Sequence, residues 1–161
     1  MDTALARYLA GPVVPTVFGH DARLQLLHEQ DALGALERAT MAGLAGTFNI
    51  GATGIIMMSQ AIRRAGRLAL PLPMFGVGVL DSVRKATMNS EVNRDQLDYF
   101  SFGRAMDTTR MRTELGFEPR WTTLEAFDDF VRGRGLTPII SPQWVSSAEG
   151  RMLAAAQRWG R

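Results

Sequence analysis

A strand, a helix and a second strand are predicted between Leu26 and Ile50, and this pattern constrains the fold more than any other part of the chain. Leu26 opens a short apolar strand, residues 32–42 have helical spacing with Gly43 as their stop, and residues 47–50 form the second strand. Two strands joined by a helix make a parallel crossover. A parallel sheet needs neighbouring strands to bury its faces. We therefore expect an α/β fold whose sheet extends beyond the strands that this chain supplies.

The predicted helix of this unit has a capping signal at its start. The carboxylate of Asp31 can accept hydrogen bonds from the free N–H groups of the first turn, so we expect Asp31 to be the N-cap. The apolar residues that recur at helical spacing behind it are Ala32, Leu33, Leu36 and Ala39.

Shorter elements flank the unit. Residues 3–9 are predicted to form a short helix that stops at Gly11, and a further helix is predicted from Ser59 to about residue 67. Residues 12–18 form an extended segment, and its prolines argue against a regular central strand.

Prolines near residue 71 mark the predicted domain division. We expect residues 1–70 to be the remnant of a sheet-bearing domain and residues 71–161 to be a mainly helical subdomain with a C-terminal tail. A helix is predicted around residues 79–87. Helix starts are further indicated by three capping-box pairs, which are Asn93 with Gln96, Thr122 with Glu125, and Ser146 with Glu149.

Two helices of this second part have predicted inner faces. One is capped by Asp107, with Met111 and Leu115 inward and Gly116 as its stop. The other begins after Thr122, and its predicted apolar side consists of Leu124, Phe127 and Val131.

Composition excludes several classes of function. The chain has 161 residues, a formal net charge of +2 and no cysteine, so a disulfide framework or a thiolate metal site is excluded. Its arginines are interleaved with acids rather than clustered, which argues against nucleic-acid binding. No apolar run approaches the ~20 residues that span a bilayer. We expect a cytoplasmic protein with no metal site.

Four segments, in this order, resemble the second half of extended short-chain dehydrogenase/reductases, which are NAD-dependent epimerases and dehydratases. Leu26–Asp31 is similar to the family's strand–HxxD–helix segment, and Gly46–Gly51 to its "G-x-F/Y-N-[IV]-G" strand. Ser59–Ile62 resembles the following helix, and Asp107–Pro119 the family's "D-x-S/T-K/R-x-x-x-x-L-G-[WF]-x-P". The nearest resemblance is to actinobacterial proteins labelled UDP-glucose 4-epimerase-like.

The resemblance implies a fold and a role. The chain would supply the last strands of a Rossmann-type parallel sheet and a mainly helical substrate-binding subdomain, and it would be incomplete relative to the family fold. The full family enzyme uses NAD(P), and its substrate is a nucleotide sugar, with a UDP-sugar as the expected ligand. The partner of this chain would be the missing N-terminal Rossmann half or a homologue.

The residues that the family uses for catalysis have no counterpart in this sequence. The family motif is Tyr-x-x-x-Lys, but Tyr8 is followed four residues later by Pro12 and Tyr99 by Gly103. A glycine-rich turn that would hold a pyrophosphate is also missing from the sequence. We therefore predict no catalytic residues and no NAD(P) binding by the chain alone. Whether the chain belongs to an enzyme stays open, with a non-catalytic nucleotide-binding or interaction module as the alternative.

Three residues are candidates for substrate binding by resemblance. Arg23 and Arg104 would contact the phosphates, because a guanidinium can bridge two phosphate oxygens. Asn49 either closes a turn at the end of its strand or faces the substrate cleft. The alternatives for the arginines are a surface position or ion pairs, Arg23 with Asp21 and Arg104 with Asp107.

His28 also allows two interpretations. It could be a ligand or acid–base group that titrates near neutral pH, or it could be an architectural residue, as the corresponding family position mostly is.

Overall fold

The computed structural model, which describes residues 3–72 and 100–136, contains both helices and strands. The helices of this part are α1 (Ala4–Tyr8), α2 (Glu29–Ala42), α3 (Met58–Arg64), α4 (Thr109–Thr113) and α5 (Thr123–Gly133). Its strands are β1 (Val13–Val17), β2 (Arg23–Leu24), β3 (Ile56–Met57), β4 (Leu68–Leu72) and β5 (Gly103–Arg104). None of the helices described is both long and apolar enough to cross a bilayer.

Two small sheets organise these elements. β1 and β4 pair in parallel, and β2 lies between the antiparallel β3 and the parallel β5. Residues 12–18 are extended as predicted, and in the described residues their strand β1 is not a central one, since it pairs with β4 in a two-stranded sheet with Pro15 opposite Leu70. A proline is tolerated at the edge of a sheet, where its missing N–H removes no ladder bond. Within the described residues β1 has β4 as its strand neighbour, so such an edge is available.

The predicted helix of the Leu26–Ile50 unit is confirmed, whereas its two predicted strands are wrong. α2 ends at Ala42, and its C-cap is the predicted stop Gly43, whose φ of 59° is left-handed. The strand before it, β2, ends at Leu24, and residues 47–50 form no strand. The N–H of Leu26 donates to the Thr123 hydroxyl, and its carbonyl accepts from the N–H of Ala52. A side chain and a loop thus satisfy backbone groups that a strand would have paired with a neighbouring strand.

The predicted N-cap is also corrected. α2 begins earlier than expected, at Glu29, and its N-cap is His28, whose Nδ1 accepts from the N–H of Gln30 at 3.2 Å. Asp31 therefore lies inside the first turn and is buried. Its two carboxylate oxygens accept the N–H groups of Arg120 and Trp121, each at 3.0 Å, so Asp31 joins α2 to the segment before α5.

The core lies where α1, α3 and α5 pack on the two sheets. Its larger buried members are Tyr8, Leu9, Val14, Leu24, Ile56, Met58, Ile62, Phe100 and Phe127. Tyr8 stacks on Phe100 with ring centroids 4.4 Å apart and donates its hydroxyl to the carbonyl of Pro15. Burial raises the pKa of Tyr8 above its usual range, so the hydroxyl stays a donor.

Several predicted features of α4 are confirmed. Its N-cap, however, is Thr108 rather than the predicted Asp107, whose carboxylate accepts both the N–H and the hydroxyl of Thr109, the first residue of the helix. Met111 and Leu115 are buried, and Gly116 has a φ of 61°.

The capping box of α5 is likewise present, with Thr122 and Glu125 bonding to each other's backbone N–H groups. Of its predicted apolar side, Phe127 is buried and Val131 is partly buried, whereas Leu124 is 43% exposed.

Other predictions fall on residues that are not described. The helix around residues 79–87 and the capping boxes at Asn93 and Ser146 lie outside the described ranges. The domain division after residue 70 stays a prediction, and β4 runs across that point.

Candidate functional site

A cleft of about 730 Å³ lies between the start of α1 and the strands β2 and β5. Its lining consists of Thr3 to Leu5, Leu24 to Leu26, Phe100, and Gly103 to Met106. Pockets that take small ligands usually measure about 300–1,000 Å³ and combine an apolar lining with a few polar groups. This cleft has that size and character, and Arg104 contributes the cationic side chain of its lining.

Two side-chain amides hold the wall of the cleft that contains Arg104. Gln25 donates from Nε2 to the carbonyl of Ala52 at 2.9 Å and accepts from the N–H of Met106 at 2.8 Å. Asn49 donates from Nδ2 to the carbonyl of Asp107 at 3.2 Å. The loops after α2 and after β5 are therefore tied together next to the cleft.

Gly103 allows β5 to approach β2 more closely than any other residue would. Its φ is +62°, and a Cβ built on it would lie 2.3 Å from the backbone N of Arg23 and 2.4 Å from its O. Any side chain at this position would collide with backbone that cannot move aside. The placement of Arg104 in the cleft therefore depends on a glycine before it.

The structure brings together only part of the predicted site. Arg104 lines the cleft, whereas the lining does not include Arg23 or Asn49. Neighbouring residues on a strand point to opposite faces, so Arg23 and the cleft-lining Leu24 face different sides of β2. Arg23 is exposed, and the β2–β5 register places it opposite Gly103. Its role as a phosphate contact stays a prediction.

The acids suggested as alternative partners of the two arginines are engaged elsewhere. The carboxylate of Asp21 accepts the N–H and the hydroxyl of Ser59 at 2.8 and 2.7 Å. The carboxylate of Asp107 accepts from Thr109, and these bonds, first from the hydroxyl and then from the backbone, lower its pKa.

A second cavity, of about 310 Å³, lies at the carboxyl ends of the parallel strands β1 and β4. Its lining includes His20, Asp21 and Ser59. Nδ1 of His20 lies 3.3 Å from the carbonyl of Phe18, and its ring meets the edge of Phe102 with centroids 5.3 Å apart. Asp21 is already bonded to Ser59, so the larger cleft is the better candidate site.

His28 is placed as a structural residue. It is 9% exposed, stacks on Trp121 and lies with Nε2 3.3 Å from the carboxylate of Asp129. Since Nδ1 accepts a backbone N–H, Nε2 carries the ring proton and donates it to Asp129. Both ring nitrogens are thereby committed within the fold, which supports the architectural interpretation.

Gln25 is the site residue that the sequence analysis missed. A glutamine between two leucines gives no sign that both ends of its amide bond to distant backbone groups. The only available signal was its place, one residue before the predicted strand and two after the candidate Arg23.

The described residues do not fit a metal ion or a dinucleotide. They contain no group of three or more His, Cys, Asp or Glu side chains placed to hold a metal. In these same ranges no parallel strand leads through a glycine-rich turn into a helix, which is how Rossmann domains hold the NAD pyrophosphate. No chemical step through NAD can therefore be built on these residues.

Several proteins are similar to this chain in sequence. Uncharacterized proteins of Mycobacterium tuberculosis and Mycobacterium bovis are 71% identical over 160 residues, which cover 99% of this chain and 43% of theirs. Another uncharacterized Mycobacterium tuberculosis protein is 31% identical over 139 residues, 83% of this chain and 15% of its own length. No protein-family model matches the chain. The chain thus spans less than half the length of the curated relatives it matches.

Two solved structures share part of their fold with it. One is a UDP-N-acetylglucosamine 4-epimerase from Bacillus cereus, with a TM-score of 0.51 and 15% identity over 83% of this chain and 43% of that one. The other is a dTDP-glucose 4,6-dehydratase from Bacillus anthracis in complex with NAD, with a TM-score of 0.50 and 15% identity, covering 80% and 36%. This chain therefore has a mixed α/β fold with parallel strands that matches part of the epimerase/dehydratase fold.

Proposed function

We propose that this chain is the substrate-binding C-terminal portion of an NAD(P)-dependent nucleotide-sugar epimerase/dehydratase and does not carry out the chemistry alone. The observation that carries the proposal is the cleft lined by Arg104, in a fold that matches part of two nucleotide-sugar enzymes. A UDP-sugar is the ligand we expect, with its diphosphate near Arg104.

The division of labour follows from the residues present. A guanidinium supplies planar donors for phosphate oxygens, and the mostly apolar lining excludes water from the rest of the ligand. The sequence has no Tyr-x-x-x-Lys pair to move a proton and no glycine-rich turn for the cofactor. These functions would come from the N-terminal Rossmann half, or from a homologue that supplies it.

Calorimetric titration of the 161-residue chain with UDP-glucose and with UDP tests the proposal. We expect both to bind, and glucose alone to give no heat. Arg104→Ala should weaken binding by about tenfold or more, since a hydrogen bond to a charged group is worth about 1.5–3 kcal/mol. Arg23→Ala in the same titration decides whether Arg23 also contacts the phosphates.

Arg120→Ala is the matched control, because Arg120 is exposed and is not part of the lining of the cleft. It removes the same charge but keeps the backbone N–H that bonds to Asp31. Unchanged affinity in Arg104→Ala, or equal losses in Arg104→Ala and Arg120→Ala, would remove the cleft as the site.

A turnover assay separates this proposal from a complete enzyme. With NAD and UDP-glucose added, we expect no sugar isomer from the isolated chain. Formation of the isomer by the pure chain would contradict the proposed division of labour. If the chain binds neither UDP-glucose nor UDP at millimolar concentration, the result would instead favour the alternative function, an interaction module.

A further inference from the structure

The long helix α2 is packed on one side through few apolar contacts. Its buried residues are Asp31 and Ala35. On this side Arg38 donates from Nε to the carbonyl of Leu115 at 3.1 Å, and Gly34 lies against the ring of Phe117. A polar bond, a carboxylate and small residues thus hold the inner side of the helix.

The other side of α2 carries three large apolar side chains that are exposed. Leu33, Leu36 and Met41 are 67%, 69% and 81% exposed. They stand at positions i, i+3 and i+8 and span an arc of about 140° at 3.6 residues per turn, which Glu37 and Thr40 share. Positions i, i+3 and i+8 belong to the face that an amphipathic helix usually buries. The apolar stripe predicted from the sequence therefore points away from the interior of the described chain.

We propose that this stripe of Leu33, Leu36 and Met41 is an interface for an apolar surface on the polypeptide that corresponds to the rest of the longer relatives. The relatives carry more than half of their length outside the region that matches this chain. Burial of a leucine side chain is favourable, so leaving the stripe exposed to water forfeits that stabilisation at each of its residues. The inference rests on the proposed function in one respect, namely that the chain acts as a portion of a larger enzyme.

The size of the stripe favours this occupant over a second copy of the chain. A stable interface between separate proteins buries about 800 Å² on each partner, more than three side chains of this size expose. A surface on the same polypeptide needs no such area, because covalent linkage supplies a high effective concentration.

The same substitution in a short and a long protein tests the interface. Leu33→Glu combined with Leu36→Glu is made in this chain, and the matching pair in the 71%-identical Mycobacterium tuberculosis relative. We expect the melting temperature of this chain to change by less than about 2 °C, because the side chains are exposed. The relative should lose about 5 °C or more, because two charges would enter a buried contact.

A conservative pair, Leu33→Met with Leu36→Met, is the control and should be tolerated in both proteins, since it preserves the apolar volume. If the glutamate pair is harmless in both proteins, the stripe is not an interface. If it destabilises both, the stripe is covered within this chain, and the proposal is wrong. A wild-type chain that sediments as a dimer and becomes a monomer with the glutamate pair would identify a second copy as the occupant instead.

Hydrogen exchange gives a readout that needs no variant. We expect the segment matching α2 to exchange more slowly in the long relative than in this chain, and equal rates would overturn the interface. Titrating the variant that carries Leu33→Glu and Leu36→Glu with UDP-glucose distinguishes the interface proposal from the proposal of nucleotide binding, because the stripe is not part of the cleft. Loss of nucleotide binding with an intact interface would remove only the ligand proposal.

Discussion

The imidazole of His28 stacks on the indole of Trp121, with ring centroids 4.3 Å apart and an interplanar angle of 9°. The same ring caps α2 through Nδ1 and reaches Asp129 of α5 through Nε2. One side chain therefore connects the start of one helix to the body of another. A residue type that often marks catalysis acts here as a structural joint.

Substitutions at His28 separate its cap from its ring. His28→Asn keeps a side-chain acceptor for the N–H of Gln30 but loses the stack, whereas His28→Ala loses both. We expect His28→Ala to be less stable than His28→Asn by about 1 kcal/mol, the usual contribution of an N-cap. Urea unfolding of both variants measures the difference, and equal midpoints would show that the imidazole acceptor contributes nothing to stability.

The carboxylate of Asp31 should matter more to stability than its side chain's size suggests. Asp31→Ala leaves the N–H groups of Arg120 and Trp121 without their acceptors in a partly buried place. A buried donor left unpaired costs about 1–3 kcal/mol, so we expect a loss of about 2–4 kcal/mol in the free energy of unfolding. Asp31→Asn keeps one acceptor oxygen, so its free energy of unfolding should lie between those of the wild type and Asp31→Ala. An Asn variant as unstable as the Ala variant would contradict the bonding described.

The sequence predicted the helices well because their signals are local. The stop at Gly43, the cap at Thr122 and the buried Met111 each depend on residues within a few positions. The outcome at Asp31 shows the limit of this reasoning. Its carboxylate has the chemistry of an N-cap, but its partners lie 89 and 90 residues away.

The strands were predicted less well because pairing is not local. The prolines of β1 argued against a central strand, but nothing near them in the sequence indicates that Leu68–Leu72 will pair with β1. The cleft depends on similarly distant relationships. Arg104 was found through family resemblance, whereas the bridging amide of Gln25 and the backbone contact between Gly103 and Arg23 become visible only in three dimensions.

Gly103 should not tolerate a side chain. In Gly103→Ala the new Cβ meets the backbone of Arg23 at 2.3–2.4 Å and the residue keeps a φ of +62°, so clash and strain add. We expect a loss of about 2 kcal/mol or more and weaker UDP-glucose binding, because Arg104 follows directly in β5. Urea unfolding and the titration described above measure both effects.

Gly133→Ala is the matched control for this substitution. Gly133 is the last residue of α5 and has no atom within 4 Å of a built Cβ. Alanine is the better helix former, so this variant should be neutral or more stable by up to about 1 kcal/mol. If both alanine variants behave alike, the approach of β5 to β2 is not as close as the structure has it.

Acid should weaken the capping box of α5. The pKa of Glu125 is lowered below its ordinary value of 4.5, first by the N–H of Thr122 and then by its hydroxyl. A carboxyl whose pKa is depressed by folding binds its proton more readily when unfolded, so its contribution is present above the unfolded pKa and is lost as pH falls through the folded pKa. Wild type should therefore be more stable than Glu125→Gln at pH 6, and this advantage should shrink between about pH 5 and pH 3. Urea unfolding of the two proteins across this range measures it, and a difference that stays constant with pH would show that the Glu125 carboxylate is not held by the cap.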